Sequence, residues 1–231
     1  MNSSYNVGMP AATQTASVRA AFISRTYGHL FAAIVAFALL EVYLFDSGLA
    51  VAIAQAMLGT SWLLVLGGFM LVSWLASRLA YSAQSTAAQY GGLAAFVVAE
   101  AIVFVPLLFV AQSVAPGVIQ SAALVTLLGF TGLTALVFYT RKDFSFLGNV
   151  LKWGGILALL LIVAGVIFGF QLGTFFSVAM IGLAGAAILY DTSKVMRDFP
   201  ADRHVAAALQ LFASVAMMFW YVLRLLMGSR D

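Results

Sequence analysis

Seven stretches of mainly apolar residues, most of them close to the roughly 20 that a helix needs to cross a hydrocarbon core, constrain this chain to a bundle of membrane-spanning helices. They cover about 26–45, 61–76, 87–110, 118–139, 147–170, 174–190 and 205–227. The breaks between them carry turn or charge signals: Asp46-Ser47-Gly48, Arg78, Ala115-Pro116-Gly117, Thr140-Arg141-Lys142-Asp143, Gln171-Leu172-Gly173, and the polar segment 194–204 with Pro200. The sixth stretch has room to continue as helix through Lys194. Residues 49–58 are apolar but too short to cross alone, and read as a loop or an interfacial helix; counting six or eight spans would require treating them differently. Either Asp143 or Ser145 is placed to cap the fifth span.

Composition supports the same class. Charged residues make up 8% of the chain and mean hydropathy is +1.06, whereas an ordinary soluble domain is about 25% charged. The expected fold is an all-α, seven-helix transmembrane bundle forming one domain over 21–231. Residues 1–20, rich in Ser, Thr, Ala and Gly around Pro10, are expected to form a flexible cytoplasmic tail. No Lys or Arg occurs before Arg19, so the N-terminus does not read as a signal peptide.

Orientation follows from the basic residues. With the N-terminus in the cytoplasm, nine of the eleven Lys and Arg fall on the inner side, leaving only Arg224 and Arg230 outside. The net charge of +3 then reports loop asymmetry, and no nucleic-acid partner is expected. The lipid bilayer is the first partner. Trp62, Trp74, Trp153 and Trp220 fall mostly towards span ends, as an interfacial belt would place them.

Small residues cluster at Gly91-Gly92, Gly154-Gly155, between Gly165 and Gly169, and between Gly182 and Gly185. They read first as close helix contacts and second as functional kinks. Cys is absent and only two His occur, which excludes disulfides, thiolate chemistry and a Cys- or His-based metal centre. No nucleophile–His–carboxylate set, phosphate loop or His-Glu-x-x-His pattern is present. Neither an enzyme nor a bound cofactor is expected.

Ionisable residues inside apolar runs ask for a reason, because each costs roughly 2.5–3.5 kcal/mol at a helix centre on insertion scales. Asp191 ends the run 178–190. Its plain reading is a helix-end carboxylate paired with Lys194, three residues on and on the same face; the functional reading is a proton-exchanging group. Glu100 is the deepest acid. It reads as a protonated Glu bonded to a neighbour or as part of a polar path. Glu41 and Arg224 read as snorkelling to the outer interface, with a pair between Arg224 and Glu41 or Glu100 as the alternative. His29 reads as interfacial, with a proton-sensing role as the alternative. Ser214, about 15 Å into the last span at 1.5 Å per residue, is either a back-bonding packing residue or a partner of Asp191.

Three segments together, Arg25-Thr26-Tyr27-Gly28-His29-Leu30, 140–148 (TRKDFSFLG) and Ile188-Leu189-Tyr190-Asp191-Thr192-Ser193, resemble the Bax inhibitor-1 family. Within it the chain looks most like the YccA-like branch, bacterial inner-membrane modulators of the FtsH protease. The likeness spans nearly everything from Arg19 onward and is strongest from Thr140. The resemblance implies a seven-helix fold with the last helix surrounded by the other six, in a bacterial inner membrane, with an FtsH-type protease complex as partner. It also implies an alternative activity, a pH-sensitive calcium leak gated by two aspartates sharing a proton. The first matches Asp191. The second belongs to a Leu-Tyr-Leu-Asp-x-x-Asn pattern, where this chain reads Leu211-Phe212-Ala213-Ser214-Val215-Ala216-Met217. Ser214 takes the place of the second acid, as in the YccA-like branch, so the coupled two-carboxylate switch is not available. As weak contacts for a transported Ca²⁺, Asp191, Glu100, Ser214 and some carbonyls remain; six to eight oxygens are usual for a tight site.

Overall fold

A computed structural model of the chain describes residues 8–81, 85–114 and 116–228. Eight α-helices follow one another: α1 (Ala16–Asp46), α2 (Leu49–Leu58), α3 (Trp62–Ala80), α4 (Thr86–Val114), α5 (Val118–Thr140), α6 (Leu147–Phe168), α7 (Thr174–Arg197) and α8 (His204–Gly228). All but α2 are long and apolar enough to cross a membrane. Residues 49–58 are therefore a short helix beside the seven spans. It begins after Gly48 and packs Ala50 and Ala54 against Leu44 of α1 and Val105 of α4. Gly48 has φ +77°, a left-handed conformation that a Cβ would disfavour. That turn lets α2 fold back on α1.

Helix α8 is the core. In its most apolar window 72% of residues are buried, against 11% for α3 and α6. Its first turns carry Ala206, Ala207 and Ala208, all fully buried; small side chains let neighbouring backbones approach where apolar surface gains nothing by leaving lipid. Around α8 stand α1, α3, α4, α5 and α7. Helix α6 leans on α7 and reaches the centre through the cluster of Ala158, Met180 and Tyr221. Outward faces remain apolar, with Leu39, Leu64, Leu128, Leu160 and Phe175 exposed to the surrounding bilayer.

Two expectations need correction. Residues 8–20 are not a flexible tail. Ala11 is fully buried, its N–H donates to the Phe199 carbonyl at 2.8 Å, and Pro10 bridges to Pro200. Helix α1 then starts at Ala16, ten residues before the apolar run, because Phe22 has a buried place in the core. The first seven residues of that tail lie outside the described ones. Nor does Asp143 or Ser145 cap α6, whose first turn has no side-chain cap. Instead Asp143 Oδ1 accepts the Ser145 N–H at 2.8 Å, closing the turn ahead of the helix.

The glycine clusters divide residue by residue. A Cβ on Gly92 would lie 2.5 Å from the Ala76 carbonyl oxygen and 2.6 Å from the Ala80 nitrogen, while one on Gly91 would meet nothing. Gly154 would meet the Leu183 side chain at 2.7 Å. These are close contacts rather than kinks. Gly169 is different, ending α6 with φ +73°.

Candidate functional site

The motif around Tyr190-Asp191 lies near the basic end of α7, where that helix crosses the first half of α8. Asp191 is 4% exposed. Gln210 and Ser214 are four residues apart and so project from one face of α8. Both reach Asp191: Gln210 Nε2 donates to Oδ1 and Ser214 Oγ to Oδ2, each at 2.5 Å. Beyond them, Tyr81 Oη donates to Gln210 Oε1 at 2.7 Å, and the Arg203 guanidinium donates to the Tyr81 carbonyl. One hydrogen-bonded line thus joins the end of α3, the first half of α8 and the end of α7.

The same end of α7 holds the preceding loop. Ser193 Oγ accepts the Phe144 N–H at 3.2 Å. Arg197 pairs with Asp143 at 2.6 Å and donates to the Arg141 carbonyl at 3.1 Å. Arg141 is the only non-glycine with positive φ among the described residues, at 52°, and that carbonyl contact helps hold it there. Tyr190 lies over Gly148, where a Cβ would meet its ring at 3.0 Å. The TRKDFSFLG and Tyr-Asp motifs are therefore two sides of one contact.

Asp143 is the acid of this region outside the spans. Hydrogen bonds from Ser145, and then the Arg197 charge, hold its carboxyl below the usual carboxylate range. A depressed folded value means that the contact is fully present above the ordinary Asp value near about 4 and is lost as pH falls through the folded value. Because the group is exposed the contribution is small and salt-screened. Asp143→Asn is expected to leave the melting temperature in detergent almost unchanged at neutral pH and to flatten the part of the acid-side fall that low salt accentuates.

The structure moves several residues from their expected places. Lys194 does not pair with Asp191; its ammonium lies 5.3 Å from the Tyr190 ring and 5.6 Å from the Phe199 ring, over aromatic faces. Ser214 is brought to Asp191. Glu100 is not: it stands on α4, between Phe96, which meets Phe212 of α8, and Phe104, which meets Phe219 and Trp220 of α8. Glu41 does not snorkel. It is 7% exposed and neither carboxyl oxygen has a hydrogen-bond partner among the described residues. Arg224 pairs with neither acid and donates to the Leu172 carbonyl at 3.5 Å. His29 bonds Tyr90 Oη at 2.8 Å and the Arg25 carbonyl at 2.6 Å, with its ring 5.0 Å from that of His204. Trp220 is half-buried and stacks on Trp62.

Gln210 escaped the sequence reading. The signal was its i, i+4 spacing from Ser214, which makes any partner of one a neighbour of the other. With Gln210 in place, both oxygens of Asp191 meet uncharged donors and no second carboxylate is among its bonded partners. The arrangement can clasp two helices. Among the described residues no three His, Asp or Glu side chains gather as a metal site would need.

Comparison with known proteins gives the same motifs a wider frame. The family model described as inhibitor of apoptosis-promoting Bax1 matches residues 19–231. An uncharacterized protein of Pseudomonas aeruginosa is 32% identical over 111 residues, 47% of this chain and 49% of its own length. A BI1-like protein of Arabidopsis thaliana is 32% identical over 117 residues, 47% of this chain and 44% of its own. The aligned regions thus span about half the length of these curated relatives. The family model covers every span and the whole Asp191 clasp. This chain is a multi-pass membrane protein that belongs to the Bax inhibitor-1 family.

Proposed function

We propose that this Bax inhibitor-1 family protein acts by protein contact, binding an FtsH-type membrane protease complex at the cytoplasmic face and slowing its action on other membrane substrates. The observation that carries the reading is the bonding of Asp191: Gln210 and Ser214 occupy both of its oxygens, so it ties α7 to α8 as a clasp. A bundle closed in this way resists extraction. The likeness to the YccA-like branch, with Ser214 in place of the second acid, supports the same reading. So does the N-terminal segment, which Ala11 and Pro10 anchor beside the α7–α8 connection.

Co-purification with an FtsH-type protease tests it, using the full chain and a form lacking residues 2–7, which keeps the Ala11–Phe199 contact. The full chain is expected to associate and to slow degradation of a second membrane substrate, with the shortened form weaker in both. If neither form associates or alters turnover, the proposal fails. A cation leak around Asp191 is the second reading, supported by that residue's burial and by the hydrogen-bonded line to Tyr81. In liposomes loaded with a calcium dye, flux that Asp191→Asn abolishes would favour the leak; the protein-contact reading expects no flux at acid or alkaline pH.

A further inference from the structure

A crevice of about 740 Å³ opens beside the second half of α8, beyond the level of the Asp191 clasp along that helix, walled by α3, α4, α6 and α8. Its volume lies within the roughly 300–1,000 Å³ of small-molecule sites. Two features of the sequence create it. Helix α8 contributes the small Ala213 and Ala216 beside Met217, Trp220 and Tyr221, and α6 contributes Gly165 between Ile162 and Val166. Around the gap stand aromatic rings: Trp62 stacks on Trp220 at 6.0 Å, Phe104 meets Trp220 edge-on at 5.0 Å, and Phe69 contacts Phe96 at 6.3 Å.

Glu100 lines this crevice, 8% exposed, and no hydrogen bond or ion pair with a described residue reaches its carboxyl. An acid so placed, in the middle of a span and without a protein partner, marks a site for something that the protein does not itself supply. The only basic group on the walls is Arg224. It stands eight residues beyond Ala216, about 12 Å along α8, at the outer rim, where it leans towards Leu172.

From this geometry we infer that the crevice is a binding site for a lipophilic cation, its charge against Glu100 and its apolar body among the aromatic rings. Charge complementarity selects the occupant: a carboxyl at the floor attracts a cation, and ring faces favour a positive over a negative guest. Arg224 at the rim disfavours entry of a cation past that end of the crevice. The site shares no residue with the Asp191 clasp and does not rest on the protease reading.

Tetraphenylphosphonium and tetraphenylborate, ions of like shape and opposite charge, provide the test. With the purified full chain in detergent, calorimetric titration is expected to show saturable binding of tetraphenylphosphonium and none of tetraphenylborate. Glu100→Gln, a near-isosteric change, is expected to weaken binding at least tenfold, while Arg224→Ala leaves it unchanged or tighter. Val166→Trp, which narrows the crevice from α6 and keeps Glu100, is expected to weaken binding too, so the test survives if the Gln variant does not fold. Absence of saturable binding overturns the inference. So does binding that Glu100→Gln or Val166→Trp leaves intact, or preferential binding of tetraphenylborate that Arg224→Ala removes, the signature of a site for anionic amphiphiles.

Discussion

Gly92→Ala is expected to destabilise the bundle by about 3 kcal/mol or more, at the top of the range for overpacking. The new Cβ would fall 2.5 Å from the Ala76 carbonyl oxygen and 2.6 Å from the Ala80 nitrogen. Both are backbone atoms of α3, and no rotamer change moves them aside. The helices would have to separate along their length, with loss of the contact between Phe69 and Phe96. Gly91→Ala is the matched control. Nothing lies within 4 Å of its Cβ, and Ala is the better helix former by up to about 1 kcal/mol. Unfolding in mixed detergent should therefore come markedly earlier for the first variant and unchanged or later for the second. Equal stability of the two would show that α3 and α4 are not in this contact.

Asp191→Ala should be the second large effect, about 2 kcal/mol. Two buried hydrogen bonds go with it, each worth about 0.6 kcal/mol on average in membrane proteins and about 1.5–3 when one partner is charged. Ser214 can turn to a carbonyl of its own helix, but Gln210 Nε2 loses its acceptor. Asp191→Asn separates bonding from charge. Its amide oxygen can accept from Gln210 and its amide nitrogen can donate to Ser214 Oγ, so both contacts survive without a formal charge. The Asn variant should keep most of the wild-type stability. If Asn and Ala destabilise equally, the charge matters and the clasp account is wrong.

The seven spans were legible because the bilayer sets a length and a composition that few other structures share. Their ends were less so. Residues 16–20 read as part of a loose tail, yet form the first turns of α1 because Phe22 packs into the core and Ala11 is tied to Phe199, contacts made with the other end of the chain. The Asp191 motif was visible, and Ser214 came with the family likeness. Gln210 was not found, since a Gln one turn from the end of a span resembles any interfacial residue until its partners are known. Glu41 and Glu100 show the limit most plainly. Depth in a span can be counted along the sequence, but which neighbour a helix face meets depends on packing. That is why one acid read as snorkelling is buried, and the other lines a crevice.

The burial of α8 also bears on how the bundle is made. The helix at its centre is seventh of the seven spans found among the described residues, in chain order, so it leaves the ribosome after the helices that enclose it. Until then Phe22, Leu30, Phe96, Phe104 and Phe130 have no common surface to pack on. The early helices can insert singly, held by their own backbone hydrogen bonds, and α3 can already meet α4 at Gly92, but the centre they share stays open. Arrival of Ala206, Ala207 and Ala208 closes the assembly in one late step. A ribosome stalled before α8 therefore leaves a set of inserted helices without their central core, open to quality control.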